Sequence, residues 1–129
     1  MPAASGIKTL IVDDQQSMRS LIRTSLHALG ISNTKEVPDG EDALRFLLTA
    51  QVNLVITDYN MPKLDGLGLL RAIRAHPPIA KTAVIMLTGR ADRELVQRAV
   101  QFGVNNYLVK PFTTQTLKEK IEAVFGALS

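Results

Sequence analysis

The chain has 129 residues and a mass of 14.1 kDa, with 46% hydrophobic and 21% charged residues, the proportions of one globular domain with a sizeable core. It contains no cysteine, which excludes disulfides, thiolate nucleophiles and Cys-ligated zinc. Fifteen Lys and Arg against twelve Asp and Glu leave a net charge of +3 without a dense basic run, so no nucleic-acid binding is expected.

Ile7 to Val12 is a short run rich in β-branched residues that predicts a first strand ending at Asp13-Asp14. From Gln16 onward Met18, Leu21, Ile22, Ser25, Leu26 and Leu29 recur at helical spacing, and Gly30 closes the segment. Thr34 to Val37 predicts a second strand, stopped by the turn signal Pro38-Asp39-Gly40. Glu41 to Thr49 predicts a helix with Ala43, Leu44, Leu47 and Leu48 inward. Leu54 to Thr57 is a nearly all-apolar third strand ending at Asp58. A helix over Gly66 to Ala75 buries Leu67, Leu70 and Ile73 and stops at Pro77-Pro78.

Ala83 to Leu87 predicts the fourth strand, ending at Thr88-Gly89. Leu95, Val96, Ala99 and Val100 form the stripe of a fourth helix that stops near Phe102-Gly103. Tyr107 to Val109 is the last strand, ending at Lys110-Pro111. Thr113 or Thr114 caps a final helix whose stripe is Leu117, Ile121, Val124, Phe125 and Leu128. No apolar stretch approaches the ~20 residues that span a bilayer, and the first six residues lack a secretion pattern. The expectation is one soluble, cytoplasmic domain over residues 1–129 with its core in 7–128.

Strands without a polar face, alternating with helices, indicate a parallel sheet covered on both sides. The expected fold is therefore α/β: a doubly wound five-stranded parallel sheet with five helices in the flavodoxin-like order 2-1-3-4-5. In such a sheet all carboxyl ends share one edge, and ligands bind where the strand order reverses, here between strands one and three. That crevice gathers Asp13, Asp14 and Asp58, with Thr88 and Lys110 on the neighbouring strand ends. Three carboxylates together call for a cation, either Lys110 or a bound metal. Oxygen ligands without His or Cys nearby favour Mg²⁺ over zinc, and Mg²⁺ accepts phosphate oxygens. A carboxylate so placed is a candidate nucleophile that would form an aspartyl phosphate. Singly, each residue has a structural use, as a helix cap, an Asx turn or a solvated Lys. Their combination at matching strand ends is what carries specificity.

Val12-Asp13-Asp14, Thr57-Asp58-Tyr59-Asn60-Met61-Pro62 with Asp65-Gly66, Leu87-Thr88-Gly89 and Val109-Lys110-Pro111-Phe112 together resemble the receiver domains of two-component response regulators. The resemblance runs from about Ile7 to Leu128 and is to stand-alone receivers of the chemotaxis type. It implies that Asp58 accepts a phosphoryl group from a histidine kinase. It further implies a Mg²⁺ site of Asp13, Asp14, Asp58 and the Asn60 backbone carbonyl, with Asp14 a direct ligand and Asp13 acting largely through water, Lys110 on the phosphoryl oxygens and a cis bond before Pro111. Thr88 and Tyr107 would form the switch, and Asn60 and Arg90 would set the phosphoryl lifetime. Arg90 stands where the best-known chemotaxis members carry an acid, so their lifetime is not carried over.

Setting the three site acids aside leaves fifteen basic against nine acidic residues, a net +6. Arg90, Arg93 and Arg98 on or near the fourth helix and Lys118 and Lys120 on the fifth would present an acidic partner with a basic face. A flagellar motor component or another kinase is the expected downstream target of a monomer. Two alternatives share the chemistry. One is a turnover phosphohydrolase, against which Asp58-Tyr59-Asn60 lacks the second Asp of the haloacid-dehalogenase pattern; the other is a degenerate receiver that binds partners without phosphorylation.

Overall fold

A computed structural model describes residues 3–89 and 93–128. Short runs of β-branched and long aliphatic side chains form the strands β1 (Thr9–Val12), β2 (Thr34–Val37), β3 (Leu54–Asp58), β4 (Ala83–Thr88) and β5 (Asn106–Val109). Every residue of β1, β3 and β4 is buried, as expected of strands covered on both faces. The helices are α1 (Gln16–Ala28), α2 (Gly40–Leu47), α3 (Gly66–Ala75), α4 (Arg93–Gln101) and α5 (Thr114–Phe125). All neighbouring strands are parallel, in the order β2-β1-β3-β4-β5. The fold class and strand order are those the sequence predicts.

Side-chain alternation along the strands divides the core in two. Ile11, Ile56, Ile85 and Leu108 join Ile22 and Leu26 of α1 and Leu117 and Ile121 of α5. Leu10, Val12, Val55, Val84 and Met86 pack on the opposite face against Ala43, Leu47, Leu67, Leu70, Ile73 and Ala99. Local signals stop the helices where they should. Asp39 and Asp65 cap α2 and α3 by accepting from the Asp42 and Gly68 N–H groups, each at 2.8 Å, and Thr113 builds a capping box with Thr116 at the start of α5.

The structure corrects several expectations. β1 begins at Thr9 rather than Ile7, although Ile7 is still buried, following a 3-10 turn over Ala4–Gly6. β3 and β4 each run one residue further, so Asp58 and Thr88 lie inside their strands. Leu21, Leu48 and Val100 are not inward, being 49%, 52% and 60% exposed. Leu21 lies about 100° around its helix from Ile22, and Val100 the same from Ala99, off the buried stripe. Leu48 falls past the end of α2. Among the described residues, no helix is long and apolar enough to cross a membrane.

Candidate functional site

Register builds the site. Val12 lies opposite Thr57, so the next residues, Asp13 and Asp58, emerge side by side at the rim. Asp58 itself pairs with Leu87, and Thr88 with Val109, which carries Thr88 and Lys110 to the same rim. The Lys110 N–H donates to the Thr88 carbonyl at 2.8 Å and extends that ladder.

Carboxylate oxygens of Asp13, Asp14 and Asp58 lie within 4.8 Å of one another, Asp13 and Asp58 buried and Asp14 exposed. Lys110 Nζ is 2.8 Å from Asp58 Oδ1 and 3.9 Å from Asp13 Oδ2. Asp13 Oδ1 accepts from the Gln15 N–H at 2.9 Å. Its other oxygen, Oδ2, is buried with no hydrogen-bond partner. Desolvation by burial pushes the Asp13 carboxyl above its ordinary value, and Asp58 and Asp14 push the same way, while the Gln15 N–H and Lys110 oppose them. A buried carboxylate oxygen with no hydrogen-bond donor, and an ammonium only at 3.9 Å, among other carboxylates is a place where a cation fits. The donors are all oxygen, which suits a hard divalent ion.

The loop after Asp58 is held close to the strand. The Gly66 N–H donates to the Tyr59 carbonyl at 2.9 Å, and a Cβ at Gly66 would collide with the Asp58 carbonyl. Likewise a Cβ on Gly40 would strike the Leu64 carbonyl, and Lys63 Nζ is 3.6 Å from Asp39 Oδ2. The start of α2 thus buttresses the loop that carries Asn60, which is itself exposed. The Lys110–Pro111 bond is cis. Thr88 is buried at the end of β4. Tyr107 is half-buried on β5, with the Lys120 ammonium of α5 over its ring. Arg90 lies outside the described residues.

Two supporting residues escape sequence reasoning. The Arg19 guanidinium donates to the Asp13 carbonyl at 2.6 Å and lies 3.5 Å from Glu36. Nothing in a lone Arg six residues after an acid signals that contact. Gly66 reads in the sequence as a helix start and as part of the Asp65-Gly66 motif, but not as the close approach whose lack of a side chain lets α3 reach Asp58.

The family model for the response regulator receiver domain matches residues 9–122. A probable chemotaxis protein CheY of Rhizobium etli is 49% identical over 128 residues, covering 99% of each chain. The chemotaxis protein CheY of Pseudomonas aeruginosa is 47% identical over 119 residues, 92% of this chain and 96% of that one. Among solved structures, Vibrio cholerae CheY4 superposes with a TM-score of 0.85 at 31% identity, covering 92% of this chain and 98% of the other. The receiver domain of a Pseudomonas aeruginosa sensor histidine kinase, with a magnesium ion coordinated in its active-site cleft, gives 0.84 at 30% identity and covers 95% and 99%.

Proposed function

The chain belongs to the response regulator receiver domain family of phosphorylation-dependent two-component signalling, and on that premise we propose that Asp58 is its phosphoacceptor. Lys110 engages Asp58 Oδ1, so Oδ2 is the oxygen free to attack phosphorus. The Asp58 O–P bond forms as the P–N bond of a histidine kinase phosphohistidine breaks, and the imidazole nitrogen leaves with the electron pair. Asp13, Asp14, Asp58 and the Asn60 carbonyl would hold Mg²⁺, which would supply the positive charge that an anionic phosphoryl group needs beside an anionic carboxylate. Lys110 follows the transferring oxygens and neutralises them in the product. Asp13, fixed by the Gln15 N–H and backed by Arg19, keeps one oxygen aimed at the cation position.

The Thr88 hydroxyl donates to the phosphoryl group, and Tyr107 turns into the space that Thr88 leaves. Reversing a 1:99 population to 99:1 requires about 5.5 kcal/mol of differential stabilisation. Two or three charge-assisted hydrogen bonds at about 1.5–3 kcal/mol each total about 3–9 kcal/mol, a range that contains it. The output surface is α4–β5–α5, where exposed Arg93 and Arg98 and half-buried Lys118 and Lys120 complement an acidic segment of a motor component or kinase. Asn60 and Arg90 set how long the phosphoryl group survives. The domain works as a cytoplasmic monomer over residues 1–129 and modifies itself rather than turning over substrate.

The observation that supports this reading best is the acid trio on two strand ends with Lys110 2.8 Å from Asp58. Incubation with Mg²⁺ and acetyl phosphate followed by intact mass tests it. A single labile phosphoryl adduct is expected in the wild type and none in Asp58→Asn. An adduct that persists in Asp58→Asn, or sustained phosphate release from diverse esters, overturns it.

A further inference from the structure

The ring of Tyr107 carries the Lys120 ammonium of α5 over one face, with Nζ 4.7 Å from the centroid. The backbones of the two residues are tied as well. Asn106 Nδ2 donates to the Lys120 carbonyl at 3.2 Å, while Asn106 Oδ1 accepts from the Tyr107 N–H at 2.9 Å. A single side chain thus fixes α5 to β5 at the point where the cation meets the ring. Among the described residues no carboxylate pairs with Lys120, so the ring is the attractive partner of its ammonium. On the α4 side, a cavity of about 280 Å³ lined by Arg93, Val96 and Gln97 borders Tyr107. The ring is therefore held at the α5 edge of a space large enough to accept part of it.

We infer that Lys120 is a positioning residue that retains Tyr107 at the α5 edge of the output surface, so that switching requires the ring to leave the cation. The inference rests on the reading of Tyr107 as the switch aromatic. A cation over a partly exposed aromatic face biases such an equilibrium by about two- to five-fold. Lys120→Met keeps the aliphatic stem and removes the charge, which separates the cation from simple packing. Lys120→Arg restores a cation.

The chain has only two tyrosines, Tyr59 and Tyr107, so 3-fluorotyrosine labelling gives two fluorine lines, assigned with Tyr107→Phe. The Tyr107 line of the wild type is expected to move when beryllofluoride and Mg²⁺ load Asp58. In unloaded Lys120→Met the line is expected part-way along that path, with the population shifted about two- to five-fold and the further beryllofluoride movement reduced. Lys120→Arg should return it to the wild-type position, and in the unloaded proteins the Tyr59 line should be the same in both variants as in the wild type. If beryllofluoride moves Lys120→Met and the wild type by the same amount from the same starting position, Lys120 does not hold the ring. A wild-type Tyr107 line unmoved by beryllofluoride overturns the switch reading itself and the inference with it. Tyr59 and Tyr107 lines moving together in Lys120→Met would mark a general structural role and also overturn it.

Discussion

Neutralising Asp13 should make the metal-free protein more stable. The magnitude follows from the competing charges around it. At an effective dielectric of about 20, the Asp58 carboxylate within 4.8 Å repels Asp13 by ~3.5 kcal/mol or more. Lys110, at 3.9 Å from Oδ2, attracts it by ~4.3 kcal/mol on the same scale. Those two nearly cancel, and exposed Asp14 adds a smaller, screened repulsion. Desolvation is then the deciding effect, worth several kcal/mol for a buried ion and only partly offset by the Gln15 N–H. Asp13→Asn keeps the volume and the Oδ1 acceptor, so a gain of about 1–3 kcal/mol at neutral pH is expected after the lost Lys110 pairing is subtracted. For a domain of this size that raises Tm by roughly 4 °C per kcal/mol.

The sign with pH is fixed by the direction of the shift. The folded Asp13 carboxyl lies above the unfolded 3.8, so the native state holds the proton more tightly. Its penalty is absent below 3.8 and grows as pH rises through the raised folded value. Thermal melts in EDTA across that window should show the variant's advantage shrinking on acidification; carboxylates outside the acid trio drop out of the difference. Saturating Mg²⁺ should close the gap by stabilising the wild type, by about 2.7 kcal/mol at a hundred times Kd. An Asp13→Asn protein that melts below the wild type in EDTA, or an advantage indifferent to pH, would refute the reasoning.

Gly66→Ala forces a methyl against the Asp58 carbonyl; a loss of about 1–3 kcal/mol in urea unfolding is expected, together with slower acetyl-phosphate labelling of Asp58. Asp39→Ala removes the α2 cap and the Lys63 pair and should cost about 1 kcal/mol. The Asp42 N–H holds the Asp39 carboxyl below its ordinary value, so this stabilisation is full above pH 3.8 and lost as pH falls through the lowered folded value. Paired urea titrations at neutral and acid pH should show the difference between Asp39→Ala and the wild type disappearing in acid.

The strands and the acid rim were legible because their causes are local. A β-branched run such as Leu54 to Thr57 has one plausible use, and the parallel order then places Asp13 beside Asp58 without any further information. The cap of α5 was legible too, as one of two threonines, although its capping box with Thr116 shows only in the structure. What the sequence hid depends on packing between distant segments. Arg74 reads as a surface residue near a helix end, yet its guanidinium donates to the Ala80, Thr82 and Gly103 carbonyls and to Asn105 Oδ1, joining three segments at the amino ends of the strands. Leu21, Leu48 and Val100 mislead for the converse reason: apolar residues near a stripe look buried until the neighbouring elements define its width. Gly66 and Arg19 matter through a close approach and a carbonyl that only the folded chain brings near.

Of the residues in α4, Ala99 alone is fully buried, whereas α3 buries five, including Leu67, Leu69, Leu70 and Ile73. Displacing α4 therefore uncovers little oil-loving area, and the chain keeps a stiff chassis with one lightly latched lever. Whatever protein clasps that lever in its shifted pose lends its own binding energy to the shift. By thermodynamic reciprocity, a phosphate on Asp58 would strengthen the clasp by the same factor by which the clasp would favour the phosphate. Signal and listener would then share a single equilibrium.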